Sequence, residues 1–417
     1  MALEHPMQSE TSRVKEMAKA RQRDIIYERI FNPSQRQLYD RVNKFSRAVV
    51  APHLSDMDSK ERIPDEIIDE LRNKHVFGMG LPEKYGGDGN GLIGACIRDE
   101  ALGYGSASVA LLVGVSSGLT ANTILNLGTD AQKRHWIPKL AAGRIGTFQL
   151  TEAGAGSDSK GIRTSITFSK GHALVNGEKI FVTNGKLAEM GVVFARTPHR
   201  NDPTKFSHSA IIVPNVSAYL AKAAEDKMGL RASHTSVFAY QDTRLPEEFV
   251  LGEKKGRGKG FEGAKVPLER ARVTLSAIAL GMAKRAYDEA ILHYEKHVRD
   301  APMHSHEKEA IRGHLAKMHG IIDNMRRHVY TVAAEYPKSD FSIAAATTKE
   351  IVTEGLNQVA DLALRVGGQK VAMDDSHPIT VIWRDARVFK IFEGTNEIQR
   401  IIVASHITPR GRKEGAG

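Results

Sequence analysis

The chain is nearly devoid of cysteine, with Cys96 the one thiol in 417 residues. An intramolecular disulfide is therefore excluded, which fits a reducing, cytoplasmic compartment. No window of 18 or more uncharged apolar residues is read, so no membrane span is expected. The N-terminal stretch has no apolar signal-peptide core, and Glu4, Glu10, Glu16 and Asp24 argue against an organelle transit peptide. No His/Cys/Asp/Glu cluster has metal-ligand spacing. His304, His306, His314 and His319 read as solvated positions on a helix surface. A G-x-S-x-G elbow is missing, as is any internal repeat. Gly256-Arg257-Gly258-Lys259-Gly260 imitates a phosphate loop without its spacing or closing Ser/Thr, so it reads as an interdomain linker.

What remains is an ordinary globular composition, 41% apolar and 26% charged. The length exceeds what one core usually supports, so two or three structural units are expected. The net charge of +10 is spread in short clusters. It reads as a background field favouring an anionic ligand, and no nucleic-acid partner is expected.

Hydrophobic period divides the chain into three. Helical spacing runs through 35–50, 65–75, 91–103, 107–127 and 131–142, giving a helical unit over 1–146. Short β-prone runs follow over 147–256: 173–182, 191–196, 209–213 and 236–240. Asn176-Gly177 between β-formers reads as a hairpin turn. The helical period returns over 257–407, near 265–299, 306–335, 340–366 and 379–392. Helices, strands and helices in that order predict an all-β unit between two helical ones. The Gly/Arg-rich tail 408–417 is expected to be disordered.

Three stretches carry chemistry. Leu150-Thr151-Glu152-Ala153-Gly154-Ala155-Gly156-Ser157-Asp158 turns a strand into a small-residue loop. Its backbone N–H groups and hydroxyls can meet a flat or phosphorylated ligand, though a plain Gly/Ser loop reads equally well. Lys179-Ile180-Phe181-Val182-Thr183-Asn184-Gly185 offers an aromatic ring and a hydroxyl, or simply a core phenylalanine. Ile391-Phe392-Glu393-Gly394-Thr395-Asn396-Glu397-Ile398-Gln399-Arg400 sets a carboxylate on a turn between two helices, with Asn396 and Gln399 spaced like a capping box. Burial would raise the Glu393 pKa and a helix N-terminus would lower it, so its direction stays open, as does a purely structural role.

In this order and spacing these motifs, with Pro82 to Gly89 and Met228-Gly229-Leu230-Arg231-Ala232-Ser233, resemble the acyl-CoA dehydrogenase family over about 30–405. The resemblance implies an α+β fold: an N-terminal helical domain, a middle β-sandwich or barrel-like domain and a C-terminal four-helix bundle. It implies an FAD enzyme that oxidises an acyl-CoA to the trans-2-enoyl-CoA, a homodimer or homotetramer passing electrons to an electron-transferring flavoprotein. Glu393 would be the base. Phe148, Leu150, Thr151, Gly156, Ser157, Phe181, Thr183 and Thr395 would hold the flavin, and Ser157, Arg272 and Gly394 the substrate. Some members carry the base one residue before the arginine matched by Arg272, but that position is Ala271 here. The ADP side of the cofactor would fall to Arg299, Gly367 and Gly368. There the chain departs from the family, with His297-Val298-Arg299-Asp300-Ala301-Pro302 where Arg-x-x-Phe-Gly is usual, and Leu364 where glutamine is usual. Arg365 and Lys370 can replace the lost contacts, or flavin binding is weakened. An oxidase or nonredox acyl-thioester enzyme of the same fold, and a noncatalytic acyl-CoA-binding protein, are the alternatives.

Overall fold

The computed structural model describes residues 25–199, 202–222, 226–337 and 340–408. The readings of the N-terminal stretch before residue 25 and of the tail beyond 408 lie outside the described residues. Helices occupy the described chain to Ala141, seven strands follow from Gly146 to Pro246, and helices resume with a short one at Glu253–Gly256 before the long helix from Gly260.

The two helical regions, separated by the sheet in sequence, share one core in space. Leu38, Ile97 and Leu102 pack in the same cluster as Ile278, Val329 and Leu356. Contact is closest where helix Gly91–Gly105 crosses helix Gly260–His293. A Cβ on Gly281 would lie 2.0 Å from the Glu100 carbonyl oxygen, and one on Gly103 would lie 2.4 Å from that of Ile278. Glycine at both positions lets the two backbones touch. Beside this crossing the buried Glu100 carboxylate accepts from Tyr27 and Tyr330 at 2.6 and 2.5 Å and pairs with Lys284, so a charge taken from water is fully hydrogen-bonded.

The stretch Ala107–Leu127 corrects one expectation. It is one helix long and apolar enough to cross a membrane, with mean hydropathy 1.5, yet 78% of that window is buried inside the protein. It bends through a π-helical segment, Gly114–Thr120, and serves as the wall between the helical core and the sheet.

The strands form one curled sheet in the order β1-β4-β2-β3-β7-β6, where β6 is Leu220–Lys222 and β7 is Thr235–Pro246, with β5 (Asp202–Pro214) paired to β4. β1 (Gly146–Gln149) runs parallel to β4 (Met190–His199), and β2 (Ser165–Ser169) is antiparallel to β3 (His172–Thr183). β4 is buried on both faces, which explains its unbroken apolar run Val192 to Ala195. The hairpin expected at Asn176-Gly177 is elsewhere: the chain turns at Lys170-Gly171, both at positive φ, and Asn176-Gly177 is a bulge inside β3. Gly177 is required there, because at φ 139° a Cβ would meet the Thr164 Cα at 2.6 Å.

Candidate active site

Glu393 sits on the corner between helix Pro378–Ala386, with its 3₁₀ extension Arg387–Lys390, and helix Asn396–Ile407. The corner demands left-handed backbone at two successive residues, Glu393 at φ 56° and Gly394 at φ 87°. A glutamate in that region is strained by about 1–3 kcal/mol. The second helix holds it there. Gln399 Nε2 donates to the carbonyl oxygens of Gly394 at 2.8 Å and of Glu393 and Thr395 at 3.4 Å. The cap is Thr395, whose hydroxyl accepts from Ile398 N at 3.3 Å, and not Asn396 as its spacing suggested.

Asn396 is buried and turned inward instead. Its Oδ1 accepts from Lys349 Nζ at 2.8 Å and from the Thr353 hydroxyl at 3.1 Å, while its Nδ2 donates to Glu354 at 3.0 Å. Lys349 is fully buried, and nothing in its local sequence marks it as part of the site. Burial pushes its pKa down to about 8, with Glu393 pulling it back up. Glu393 itself keeps some contact with solvent but is ringed by protein. That burial pushes its pKa up to about 7, against the opposing pull of Arg272 and Lys349. The open question of direction is thereby answered: desolvation outweighs two cations. The Glu393 backbone N–H donates to no group among the described residues.

Across from this corner is the sheet face. β3 carries a second bulge between Lys179 and Val182, and Phe181 adopts φ 54° within it. The bulge turns the ring out of the sheet, leaving Phe181 63% exposed rather than in the core. Thr151 meets this bulge through Ile180 N, which donates to Thr151 O at 3.0 Å. Phe148 lies on β1, and Leu150 and Thr151 just beyond it are held to β3 beside Phe181 and Thr183. The loop between them is pinned by a pair that local sequence did not flag. Lys179, with no exposed surface, donates to Leu150 O at 2.9 Å and to Glu152 at 2.6 Å. Glu152 also accepts from the backbone of Arg163 and Thr164 at 2.6 and 3.0 Å.

This face suits a flat, polar-edged cofactor. The hydroxyls of Thr151, Ser157 and Thr183 have no hydrogen-bond partner among the described residues, and a Cβ on Gly156 would meet nothing within 4 Å. Phe148 joins the two halves, packing with Val115, Leu119 and Ala271. Arg272, the next residue, is half-buried and pulled by the Glu393 charge.

Three expected residues are not brought to this place within the chain. Arg299 lies 27 positions beyond Arg272 along a nearly continuous helix, on the order of 40 Å away. It is tied to Glu295 and Asp300. Gly367 and Gly368 end the straight part of helix Phe341–Ala372, where Gly368 breaks the helical path at φ 62°. No metal-binding group of three or more ligands occurs among the described residues.

Models of the acyl-CoA dehydrogenase family match the chain in order: the N-terminal domain over 32–144, the middle domain over 147–243 and the C-terminal domain over 258–408. A short-chain-specific acyl-CoA dehydrogenase of Megasphaera elsdenii is 32% identical over 368 residues, 86% of this chain and 94% of its own. An acyl-CoA dehydrogenase of Bacillus subtilis is 31% identical, over 88% of this chain and 96% of its own. The structure of butyryl-CoA dehydrogenase from Megasphaera elsdenii superposes at TM-score 0.83 with 30% identity, covering 90% and 98% of the two chains. A chain in the structure of the electron-transferring flavoprotein of Acidaminococcus fermentans superposes at TM-score 0.84 with 28% identity, covering 91% and 99%.

Fold and relatives together define a flavin-dependent oxidoreductase. Its cofactor is FAD and its activity is the oxidation of acyl-CoA. The chain belongs to the acyl-CoA dehydrogenase family.

Proposed function

We propose that the protein converts an acyl-CoA to the trans-2-enoyl-CoA, with Glu393 as the base that takes the α-proton. The observation that carries this reading is a strained, protein-enclosed carboxylate whose pKa lies near neutrality. A base so tuned divides near neutral pH between the ionised form that accepts a proton and the protonated form that retains one. FAD, when bound, supplies the acceptor for the hydride that leaves the β-carbon.

The chain's own groups account for the rest. As the α-proton departs, negative charge grows on the thioester oxygen, and a fixed donor there lowers the barrier. The unengaged Glu393 N–H is such a donor, held at the same corner as the carboxylate. Phe148, Leu150 and Phe181 would exclude water from one side of the ring system, with Thr151 and Thr183 donating to its polar edge. Ser157 and Gly156 lie where ring system and thioester arm would meet. Arg272 sits beside the carboxylate and holds its charged form within reach, while Gly394 and Thr395 shape the corner.

Arg299, Gly367 and Gly368 would reach a cofactor only across a subunit boundary, so we read the protein as a homodimer or homotetramer. The exposed Ile391, Ile401 and Ile407 give apolar surface for such packing. An electron-transferring flavoprotein is the acceptor this reading favours. The test is anaerobic mixing of the yellow protein with acyl-CoA. Bleaching of the flavin bands supports the reading, and a flavin-loaded protein that no acyl-CoA bleaches overturns it.

A further inference from the structure

We propose that the clasp joining Gly229 and Leu230 to Arg384 and Asp385 is a positioning device for the reaction, fixing the gap between the sheet face and the Glu393 corner. The proposal rests on the α-proton abstraction read at Glu393 and adds residues that act through it without touching substrate. Three separate segments meet here: helix Leu54–Lys60, the loop before β7, and helix Pro378–Ala386. A Cβ on Gly229 would lie 2.5 Å from the Arg384 carbonyl oxygen and 2.7 Å from Asp385 N, so the two backbones touch. Leu230 N donates to Asp385 Oδ1 at 2.5 Å, and Arg384 Nη1 to Met228 O at 3.1 Å. Arg384 also forks onto Asp58, at 3.2 Å to Oδ1 and 2.6 Å to Oδ2, while Arg231 donates to Glu61 at 2.6 and 3.0 Å.

Each side of the clasp leads to one side of the site. Beyond Leu230 the chain enters β7, where Thr235 stands opposite Thr183 and Ser236 opposite Val182, at the bulge that exposes Phe181. Beyond Asp385 the 3₁₀ segment Arg387–Lys390 carries the chain to Glu393. The bulge and the base are thus tied by one short bridge, which Asp58 holds from the N-terminal unit. The bridge is built at a cost to stability that a simple staple would not carry. Leu230 is held in left-handed backbone at φ 53°, a strain of about 1–3 kcal/mol. Asp385 is buried, and that burial, with Asp58 alongside, pushes its pKa up to about 7 against the pull of Leu230 N–H, Arg384 and Lys227. Well-packed apolar residues often hold such segments as firmly. A directed bond to a backbone N–H fixes one geometry as well. Proton transfer depends on that geometry, since a shift of about 1 Å at the reacting atoms can cost about a hundredfold in rate.

The test is stopped-flow flavin reduction by saturating acyl-CoA in the FAD-loaded enzyme. Gly229→Ala forces the backbones apart, and Asp385→Ala removes the acceptor for Leu230 N–H. Each should slow reduction by roughly tenfold to a hundredfold, while the apparent Kd for acyl-CoA and the flavin content stay near the parent values. Asp385→Asn keeps a side-chain oxygen for Leu230 N–H and should restore most of the rate. Arg231→Gln, on the outer rim of the clasp, covers the case in which the alanine variants do not fold, and should slow reduction severalfold in the same pattern. Reduction at the parent rate in the folded variants overturns the proposal, as does a fall shared equally by Asp385→Asn and Asp385→Ala. If no acyl-CoA bleaches the parent, the reading of Glu393 falls and the proposal with it. A bleached parent with unslowed variants sinks the clasp alone.

Discussion

The two ends of the cofactor-facing surface are built on different plans. At the Glu393 end, side chains from the sheet, from helix Gly260–His293, from helix Phe341–Ala372 and from the C-terminal corner converge within one chain. Phe181 and Glu393 there are both non-glycine residues at positive φ. At the Arg299 end nothing converges: one arginine pairs with its own helix neighbours, and two glycines end a helix. On the proposed reading, the chemical half of the site is built within one chain. The far half would then be surface for a second chain to cover.

The largest test of that contrast is Glu393→Gln. Removing a general base costs about 10²–10⁴ in rate, so flavin reduction by acyl-CoA should fall by roughly a thousandfold with flavin content unchanged. The same change should stabilise the fold. A carboxyl whose folded pKa is about 7, against 4.5 unperturbed, binds more protons folded than unfolded between those values. Stability is therefore lost as pH rises through that window, by about 3 kcal/mol once both states are ionised. Glutamine carries no such penalty, so its melting temperature should exceed that of the parent at pH 8 and approach it at pH 4. A variant that loses activity and stability together at pH 8 would make Glu393 a structural residue.

Next in size is Lys179→Met, which strikes the sheet side of the same end. Leaving Glu152 buried without its partner should cost about 3–5 kcal/mol, as for other broken buried pairs. Because Lys179 also holds Leu150 O, the loop carrying Thr151 and Ser157 should loosen and bound FAD should be lost more readily on gel filtration. Full retention of flavin would show that the loop is held by other contacts.

These partners also mark what could be seen in the sequence. The corner was legible because its information is local: a glycine, an adjacent carboxylate and a helix beginning within three residues. The hairpin misread at Asn176-Gly177 failed because the reason for Gly177 is Thr164, a residue on another segment. Asn396 resembled a cap by spacing, but a buried lysine 47 positions away claims its side chain. Nothing in the sequence singles out Lys179 or Lys349, since one lysine in a helix or strand says nothing of what lies opposite. The motif Met228 to Ser233 was recognisable without its purpose. It is a clasp in which Gly229 lets backbone approach Arg384 and Leu230 N–H donates to Asp385. That two helical regions flank a β unit was visible from period alone, but not that they share one core.

A smaller effect separates position from charge at the corner. Lys349→Met removes a cation that favours the ionised base, leaving Arg272 on the neighbouring helix to favour it. Glu350, Glu354 and Glu397 stay, with Lys390 and Arg400 engaged to them. The Glu393 pKa should therefore rise further, moving the acid limb of the kcat profile to higher pH and lowering the rate at pH 7 severalfold. Lys349→Arg should restore the limb. A uniform drop at all pH values would instead assign Lys349 to holding Asn396 alone.

The smallest effect belongs to the far end and cuts in two directions. The Arg299 ion pairs with Glu295 and Asp300 lie at the surface, where such pairs are worth about 0–1 kcal/mol, so Arg299→Ala should move the melting temperature of the FAD-free protein little. If a second chain brings its cofactor to this arginine, the same variant should weaken FAD affinity by roughly tenfold, as expected for one lost charge-assisted contact to phosphate. Flavin reduction in molecules still loaded should proceed at the parent rate, because the Glu393 end is untouched. Unaltered affinity would mean that the departure from Arg-x-x-Phe-Gly has moved the phosphate contact elsewhere. Arg365 and Lys370, beside the kink at Gly368, would then be the residues to change.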